Sequence, residues 1–298
     1  MFKKLLYYIV FSVFYALSLL PWWLHYLWSD YVLFPIIYHV KKYRRSLVRQ
    51  QLAECFPEKS EAERLQLERD FYHWFADYFA ESVKQVSMSH DDFRRHMTFE
   101  GVVEMVREVE AGDSPLAILY LGHFTNWEWI TSVNLHVKAD IVPAQVYHPL
   151  ENEVMDRLML HNRSKCGANN VPMNETARFV TERQQEGRKV FLGCVADQSP
   201  ARKYVRYWMQ WMRHESPVII GTEVMGRRFD AVYYYMDVHR VRRGYYHTVI
   251  RRIDPKDSTA EYPITEAYMQ AVEESILRDP ALWLWTHKRW KHKREDFD

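Results

Sequence analysis

Cysteine is scarce in this chain of 298 residues: three, at Cys55, Cys166 and Cys194. An odd number at scattered positions gives no disulfide framework and no zinc spacing, which points to a reducing compartment. Net charge is close to absent, +1 at pH 7. A nucleic-acid-binding domain is basic as a whole, so nucleic acid is not an expected partner. The sequence contains no G-x-S-x-G and no H-E-x-x-H. It therefore offers neither the nucleophile elbow of a serine hydrolase nor a zinc-binding helix, and no metal is expected. No linker, repeat or low-complexity tract interrupts the chain after Tyr43.

Between Leu5 and Ser29 there is no Asp, Glu, Lys or Arg. The run "LLYYIVFSVFYALSLLPWWLHYLWS" exceeds the roughly 20 apolar residues that a spanning helix needs. It ends in Pro21-Trp22-Trp23, not in the small residues of a signal-peptide cleavage site, so a retained membrane anchor is expected. Lys3-Lys4 and the cluster Lys41 to Arg45 flank it, and both favour the cytoplasmic side. A single straight span cannot satisfy both, and the larger cluster would put the N-terminus outside. A shallow hairpin turning near Pro21 satisfies both.

The length allows one large domain or two smaller ones with an ample core. The positive charge is clustered, as in Arg242-Arg243, Arg251-Arg252 and Lys288 to Arg294, which suits phosphates or lipid head groups. Aromatic residues make up 15%, with eleven tryptophans, and Trp and Tyr favour membrane interfaces. "WLWTHKRWKHKRED" mixes tryptophan with Lys and Arg and reads as interfacial.

Residues 45–83 read as two helices separated by Pro57, with Ser60 as N-cap of the second. There Leu67, Phe71, Trp74, Phe75, Tyr78 and Phe79 form an apolar stripe, expected to pack in the core or against a membrane. Beyond it the pattern alternates. "PLAILYLG", "ADIVPAQVY" and "KVFLGCVAD" read as buried strands. A helix is expected from about Asn126, and others over "ENEVMDRLMLHNRSKCG", "NETARFVTERQQEG", "SPVIIGTEVMGRR" (Pro217 in its first turn) and "ITEAYMQAVEESILRDP". "AVYYYMDVHRVRRGYYHTVIRRI" reads as a hairpin turning at Arg243-Gly244. The fold class is α/β: a mixed sheet flanked by helices, with functional groups gathered beyond the carboxyl ends of the strands.

His123 sits at such an end, in "LYLGHFTNWEW", with Glu128 five residues on. On one continuous helix that offset rotates the two side chains about 140° apart. A turn at Gly122-His123 instead lets the imidazole fold back over the helix start and reach the carboxylate. The acid then fixes the tautomer and leaves the other ring nitrogen as a base. Free N–H groups at the helix start could stabilise an oxyanion. A base without its own nucleophile suits direct attack by a substrate hydroxyl or amine on an activated acyl group.

The segment "GHFTNWEW" resembles the His-four-residues-acid motif of the bacterial lipid A late acyltransferases, within the lysophospholipid acyltransferase superfamily. Three further segments are similar to that family in the same order: "VYHPLENEVMDRLMLHNR", "VADQSP" and "PALWLWTHKRWK". The resemblance spans Gly122 to Lys291. It implies a glycerophosphate-acyltransferase-like fold, with residues 1–45 as a membrane anchor and 46–298 as the acyltransferase domain. It implies His123 as general base with Glu128 as partner. Asn126, Trp127, Arg163, Asp197 and Gln198 would form the substrate site, Arg163 near the anionic acceptor. The implied donor is an acyl thioester on acyl carrier protein or coenzyme A, with no other cofactor. The implied acceptor is a lipid A precursor, at the cytoplasmic face of the inner membrane. Three positions depart from the pattern. Thr125 stands for Gly, His148 stands for Arg, and no Phe-Phe-Gly follows Gln198. These leave another lipid or aminolipid as acceptor, or a non-catalytic lipid-binding relative, open.

Overall fold

Six consecutive apolar residues, Leu116–Leu121, form strand β2 of the sheet numbered below, and all six are buried. The computed structural model describes residues 2–137, 140–256 and 258–297, leaving out the side chains of Phe2 and Lys3. The Lys3 charge and the Ala139 start of the second expected strand therefore lie outside the described residues.

The main sheet has seven strands: β1 (Met97–Glu100), β2, β3 (Ile141–Tyr147), β4 (Asn169–Pro172), β5 (Lys189–Val195), β8 (Val232–Arg242) and β9 (Tyr245–Ile253). Their order is β1-β9-β8-β2-β5-β3-β4. Only β8 and β9 are antiparallel neighbours, and Gly244 at φ 74° closes the hairpin where the sequence placed it. The parallel strands β2, β3 and β5 read as continuous apolar runs because helices cover both faces of such a sheet.

Ten α-helices are described. In the amino-terminal third they are α1 (Phe2–Ser18), α2 (Trp22–Trp28), α3 (Arg45–Cys55), α4 (Glu61–Gln85), α5 (His90–His96) and α6 (Val102–Ala111). The remainder are α7 (Glu153–Ser164), α8 (Thr176–Gln185), α9 (Gly221–Arg228) and α10 (Pro263–Arg278). Ser60 caps α4 in a reciprocal capping box with Glu63. In its stripe Leu67, Phe71, Trp74 and Phe75 are buried, while Phe79 faces out.

Two expected helices differ. Residues 214–218 form strand β7, paired with β6 (Tyr207–Trp211), and Pro217 stands opposite Trp208. The helix starts only at Gly221. The tight turn between these strands uses Met212 (φ 49°) and Arg213 (φ 67°), which carry none of the Asn-Gly chemistry that usually marks a left-handed hairpin turn. After Asn126 no α-helix forms; a 3₁₀ helix runs over Trp129–His136. Upstream, Thr125 N–H donates to the Leu282 carbonyl and Leu284 N–H to the His123 carbonyl, which holds the chain in a bridge instead.

The tail also differs from its interfacial reading. Trp283, Trp285 and Arg289 are fully buried. The Gln51 amide donates to the Trp285 and His287 carbonyls, and its oxygen accepts from Arg289 N–H. Tryptophan beside cations has the composition of a membrane belt, yet here the rings build the core against Trp211.

The amino-terminal run is bent. Residues 4–18 and 22–40 meet at 111°, and no single helix among the described residues is long and apolar enough to cross a membrane. Past Trp28 the helix continues as π-helical turns, Ser29–Leu33 and Pro35–Val40, packed along α4.

Candidate functional site

Strands β2 and β5 pair in parallel with Leu121 opposite Val195. Two residues beyond each stand His123 and Asp197. Strand register thus brings together two groups 74 residues apart. His123 Nδ1 lies 2.6 Å from Asp197 Oδ1, and the His123 backbone N–H donates to Asp197 Oδ2 at 2.9 Å. Trp283 Nε1 donates to the same oxygen at 2.8 Å. Asp197 is fully buried. Burial works to raise its pKa, but His123 and the Trp283 indole outweigh it and hold the carboxyl below the ordinary range.

With its Nδ1–H donated to Asp197, the imidazole keeps a lone pair on Nε2. Gln198 Nε2 donates there at 3.2 Å. Trp127 stands edge-on to the imidazole, with ring centroids 5.2 Å apart, and stacks on Tyr78 of α4 at 4.4 Å. The ring is thereby fixed from two sides.

Glu128 is not the partner of His123. Its two oxygens accept from Arg163 Nε at 2.8 Å and Nη2 at 2.6 Å. The forked guanidinium matches both carboxylate oxygens, a geometry that a single imidazole nitrogen cannot offer. Glu128 is buried and Arg163 a quarter exposed. The forked hydrogen bonds of Arg163 thus leave its own helix for Glu128. Burial works to lower the Arg163 pKa, but the charge and hydrogen bonds of Glu128 outweigh it and push it up.

Asn126, expected on the substrate, is engaged by α4 instead. It is buried, and its amide donates to Glu81 Oε2 at 2.6 Å. The expected oxyanion donors at the helix start are also engaged: Thr125 N–H by Leu282 O and Trp129 N–H by Asn126 O. Thr125 has φ 53°, in the left-handed region that favours glycine. A glycine, which the resemblance leads one to expect here, would take that angle without strain.

Sequence reasoning missed Glu81. It is buried on α4 and accepts from Asn126, Tyr246 and Tyr26. Burial, with Asp77 nearby, pushes its carboxyl up to about 7 against the pull of these bonds. It also missed His287, whose Nε2 accepts from Ser199 N–H at 3.1 Å, and which burial drives down to about 4. An acid on an amphipathic helix looks like any surface acid in sequence; only burial sets Glu81 apart.

A cavity of about 370 Å³ opens at this point. Its mouth carries His123, Glu128, Arg163, Gln198 and His148. Its walls are largely apolar, with Leu119, Leu121, Phe191, Val195, Ile130 and Val133, and carry the polar Thr131, Asn134 and Gln145 as well. Asp197 stands behind His123, outside this lining. Gly193 on β5 lies on the wall, and a Cβ there would meet only ordinary contacts at 3.7 Å. The volume is near the lower end of the range of about 300–1,000 Å³ usual for ligand pockets. The arrangement places an imidazole, its Nε2 met by Gln198, beside a space walled largely by apolar side chains. Among the described residues no cluster of His, Cys, Asp or Glu could hold a metal ion.

No curated protein matches the chain. Residues 1–292 match the family model described as bacterial lipid A biosynthesis acyltransferase.

Proposed function

Since the chain belongs to the bacterial lipid A biosynthesis acyltransferase family, we propose that it moves a fatty acyl chain from an acyl thioester to a hydroxyl of a lipid A precursor or related lipid. The donor is carried by acyl carrier protein or coenzyme A. The observation that carries this reading is the His123–Asp197 pair at the mouth of an apolar cavity.

In the proposed reaction the acyl chain lies in the cavity with its thioester carbonyl at the mouth. The acceptor hydroxyl displaces the Gln198 amide from His123 Nε2. As the hydroxyl oxygen bonds to the carbonyl carbon, its proton passes to Nε2, and buried Asp197 stabilises the imidazolium. The Gln198 amide supplies a hydrogen bond to the oxyanion. Collapse breaks the C–S bond, the imidazolium returns the proton to sulfur, and ester and thiol leave. Arg163, neutralised and oriented by Glu128, serves as a fixed donor for an acceptor phosphate more than as a free cation.

The cytoplasmic face of the inner membrane suits this reading, since three free, buried cysteines fit a reducing compartment. Lipid mass spectrometry of a strain lacking the protein tests it. The expected result is a lipid lighter by one acyl chain, whose mass names chain and acceptor. An unchanged lipid profile would refute the proposal.

A further inference from the structure

The amino-terminal run is apolar enough to be a span, but its polar groups are committed to the body of the protein. Tyr26 donates to Glu81 at 3.1 Å, Ser29 to Asp77 at 2.6 Å and Tyr38 to Glu68 at 3.1 Å, all three acceptors on α4. Asp30 accepts both ends of the Arg243 guanidinium at 2.7 and 2.9 Å, and Arg243 also bonds Asp77. Moving residues 22–40 into a bilayer would break this set and carry Asp30 into hydrocarbon. Helix α1 has 17 residues, about 25 Å of rise, against a hydrocarbon core of about 30 Å. It also lies on the body. Arg157 of α7 caps the Tyr7 ring at 4.5 Å, and Phe11 meets His161 of α7 edge-on at 5.0 Å.

The opposite faces are exposed and apolar. On α1, Leu5, Ile9, Val13 and Leu17 recur every four residues and all are exposed. Along 22–40, Trp23, Leu27, Tyr31, Ile36 and Val40 recur every four or five, with Tyr31 at 75% and Val40 at 71% exposure. The wider spacing is that of π-helical turns, which keep the stripe on one face. At its end come Lys41, Lys42 and Arg44. Beside it opens a cavity of about 470 Å³ lined by Phe34, Tyr38, His39, Arg45, Arg69 and His73. Arg69 has no ion-pair or hydrogen-bond partner among the described residues. Apolar stripes beside aromatic rings and cations complement a bilayer surface that bears anionic head groups.

The geometry points to a monotopic attachment: residues 4–43 lie in the plane of one anionic leaflet, tied by their polar face to α4 and α7, and do not cross the bilayer. Lys4 and the Lys41 to Arg45 cluster then stay on one side, which resolves the conflict that a straight span creates. Because α1 packs on α7, which carries Arg163, this attachment sets the cavity's neighbouring helix close to the lipid surface.

The reading is independent of the acyl-transfer chemistry, and its test uses no activity. Cys55, Cys166 and Cys194 are buried, so an introduced surface cysteine reports alone. Full-length Lys4→Cys and Lys42→Cys proteins in sealed membrane vesicles are treated with a membrane-impermeant maleimide. Both should label from the same face; labelling of Lys4→Cys only from the opposite face would overturn the proposal. In a second arm, purified protein is mixed with phosphatidylcholine vesicles with or without phosphatidylglycerol. Ile36→Asp with Val40→Asp, both on the exposed stripe, should weaken binding to the anionic vesicles at least about tenfold. Undiminished binding by that folded variant would equally overturn it.

Discussion

His123 donates from Nδ1 to Asp197 Oδ1 across 2.6 Å, and the two residues stand level because β2 and β5 pair in register. The contact fixes which ring nitrogen holds the proton. Asp197→Asn replaces an acceptor on both oxygens with an amide that cannot stabilise an imidazolium. Acyl transfer should fall on the order of 10⁴-fold, as carboxylates in this role do. Steady-state rates of the folded variant check this; a loss below tenfold would remove Asp197 from the proton-transfer chain.

Glu128 and Arg163 should behave as one unit. Glu128→Gln leaves a largely enclosed guanidinium without its counter-charge, and Arg163→Met leaves a buried carboxylate. Breaking a buried pair costs about 3–5 kcal/mol, discounted here because Arg163 is a quarter exposed. Each single variant should therefore melt early and transfer slowly. The double variant should recover part of the stability and none of the activity. Additive losses in a double-mutant cycle would show the two to be uncoupled.

Two buried carboxyl groups predict opposite pH signatures. Asp197 is held below 3.8, so the folded chain binds fewer protons there than the unfolded one. Its contribution is present above that value and is lost as pH falls through its folded pKa. Glu81 is raised from 4.5 to about 7, so between these values the folded chain binds a proton that the unfolded chain has released. Stability should fall as pH rises through that window. Glu81→Gln removes this loss, so its melting temperature relative to the parent should climb from about pH 5 to about pH 8. A constant difference would place Glu81 with an ordinary acid.

Thr125 holds φ 53°, a β-branched residue in the left-handed region. Its hydroxyl donates to the Phe124 carbonyl at 2.6 Å. Thr125→Gly removes strain of about 1–2 kcal/mol and gives up the Cβ, one methyl and one hydrogen bond. Its melting temperature should match or exceed the parent's, while Thr125→Val should lower it. A drop in the glycine variant larger than in the valine variant would contradict the strain argument.

Gly193 offers a test of what fills the cavity. A Cβ there meets only ordinary contacts, so a side chain can start from this wall without a clash at its first atom. Gly193→Leu should shift the products, read by lipid mass spectrometry, toward shorter acyl chains with little change in stability. Unchanged chain length would place the acyl group elsewhere.

The parts of the fold legible in sequence were those written in local pattern. The apolar runs of β2 and β5, the Ser60 cap and the Arg243-Gly244 turn each carry a signal within a few residues. The β6–β7 hairpin did not, because Met212 and Arg213 adopt left-handed angles without Gly or Asn. The site divides along the same line. His123 and Glu128 stood out by their spacing, Arg163, Asp197 and Gln198 only through the resemblance, and the structure gathers all five at the end of the sheet. Their pairing was misread, since strand register and a facing helix decide it: Asp197 takes the imidazole and Arg163 takes Glu128. The tryptophan-rich tail was misread for a related reason. Its composition suits an interface equally well, and only the contacts of Trp283 with Asp197 and Trp211 put it in the core.

The central claim is that His123 Nε2 takes the proton of the attacking hydroxyl. The direct measurement is the rate of acyl transfer from an acyl thioester to lipid acceptor by purified His123→Ala, with its melting curve recorded alongside. His123 is partly exposed at the cavity mouth, so the fold should be retained. The rate should fall about 10²–10⁴-fold. A well-folded variant that transfers acyl chains at close to the parent rate would contradict the account.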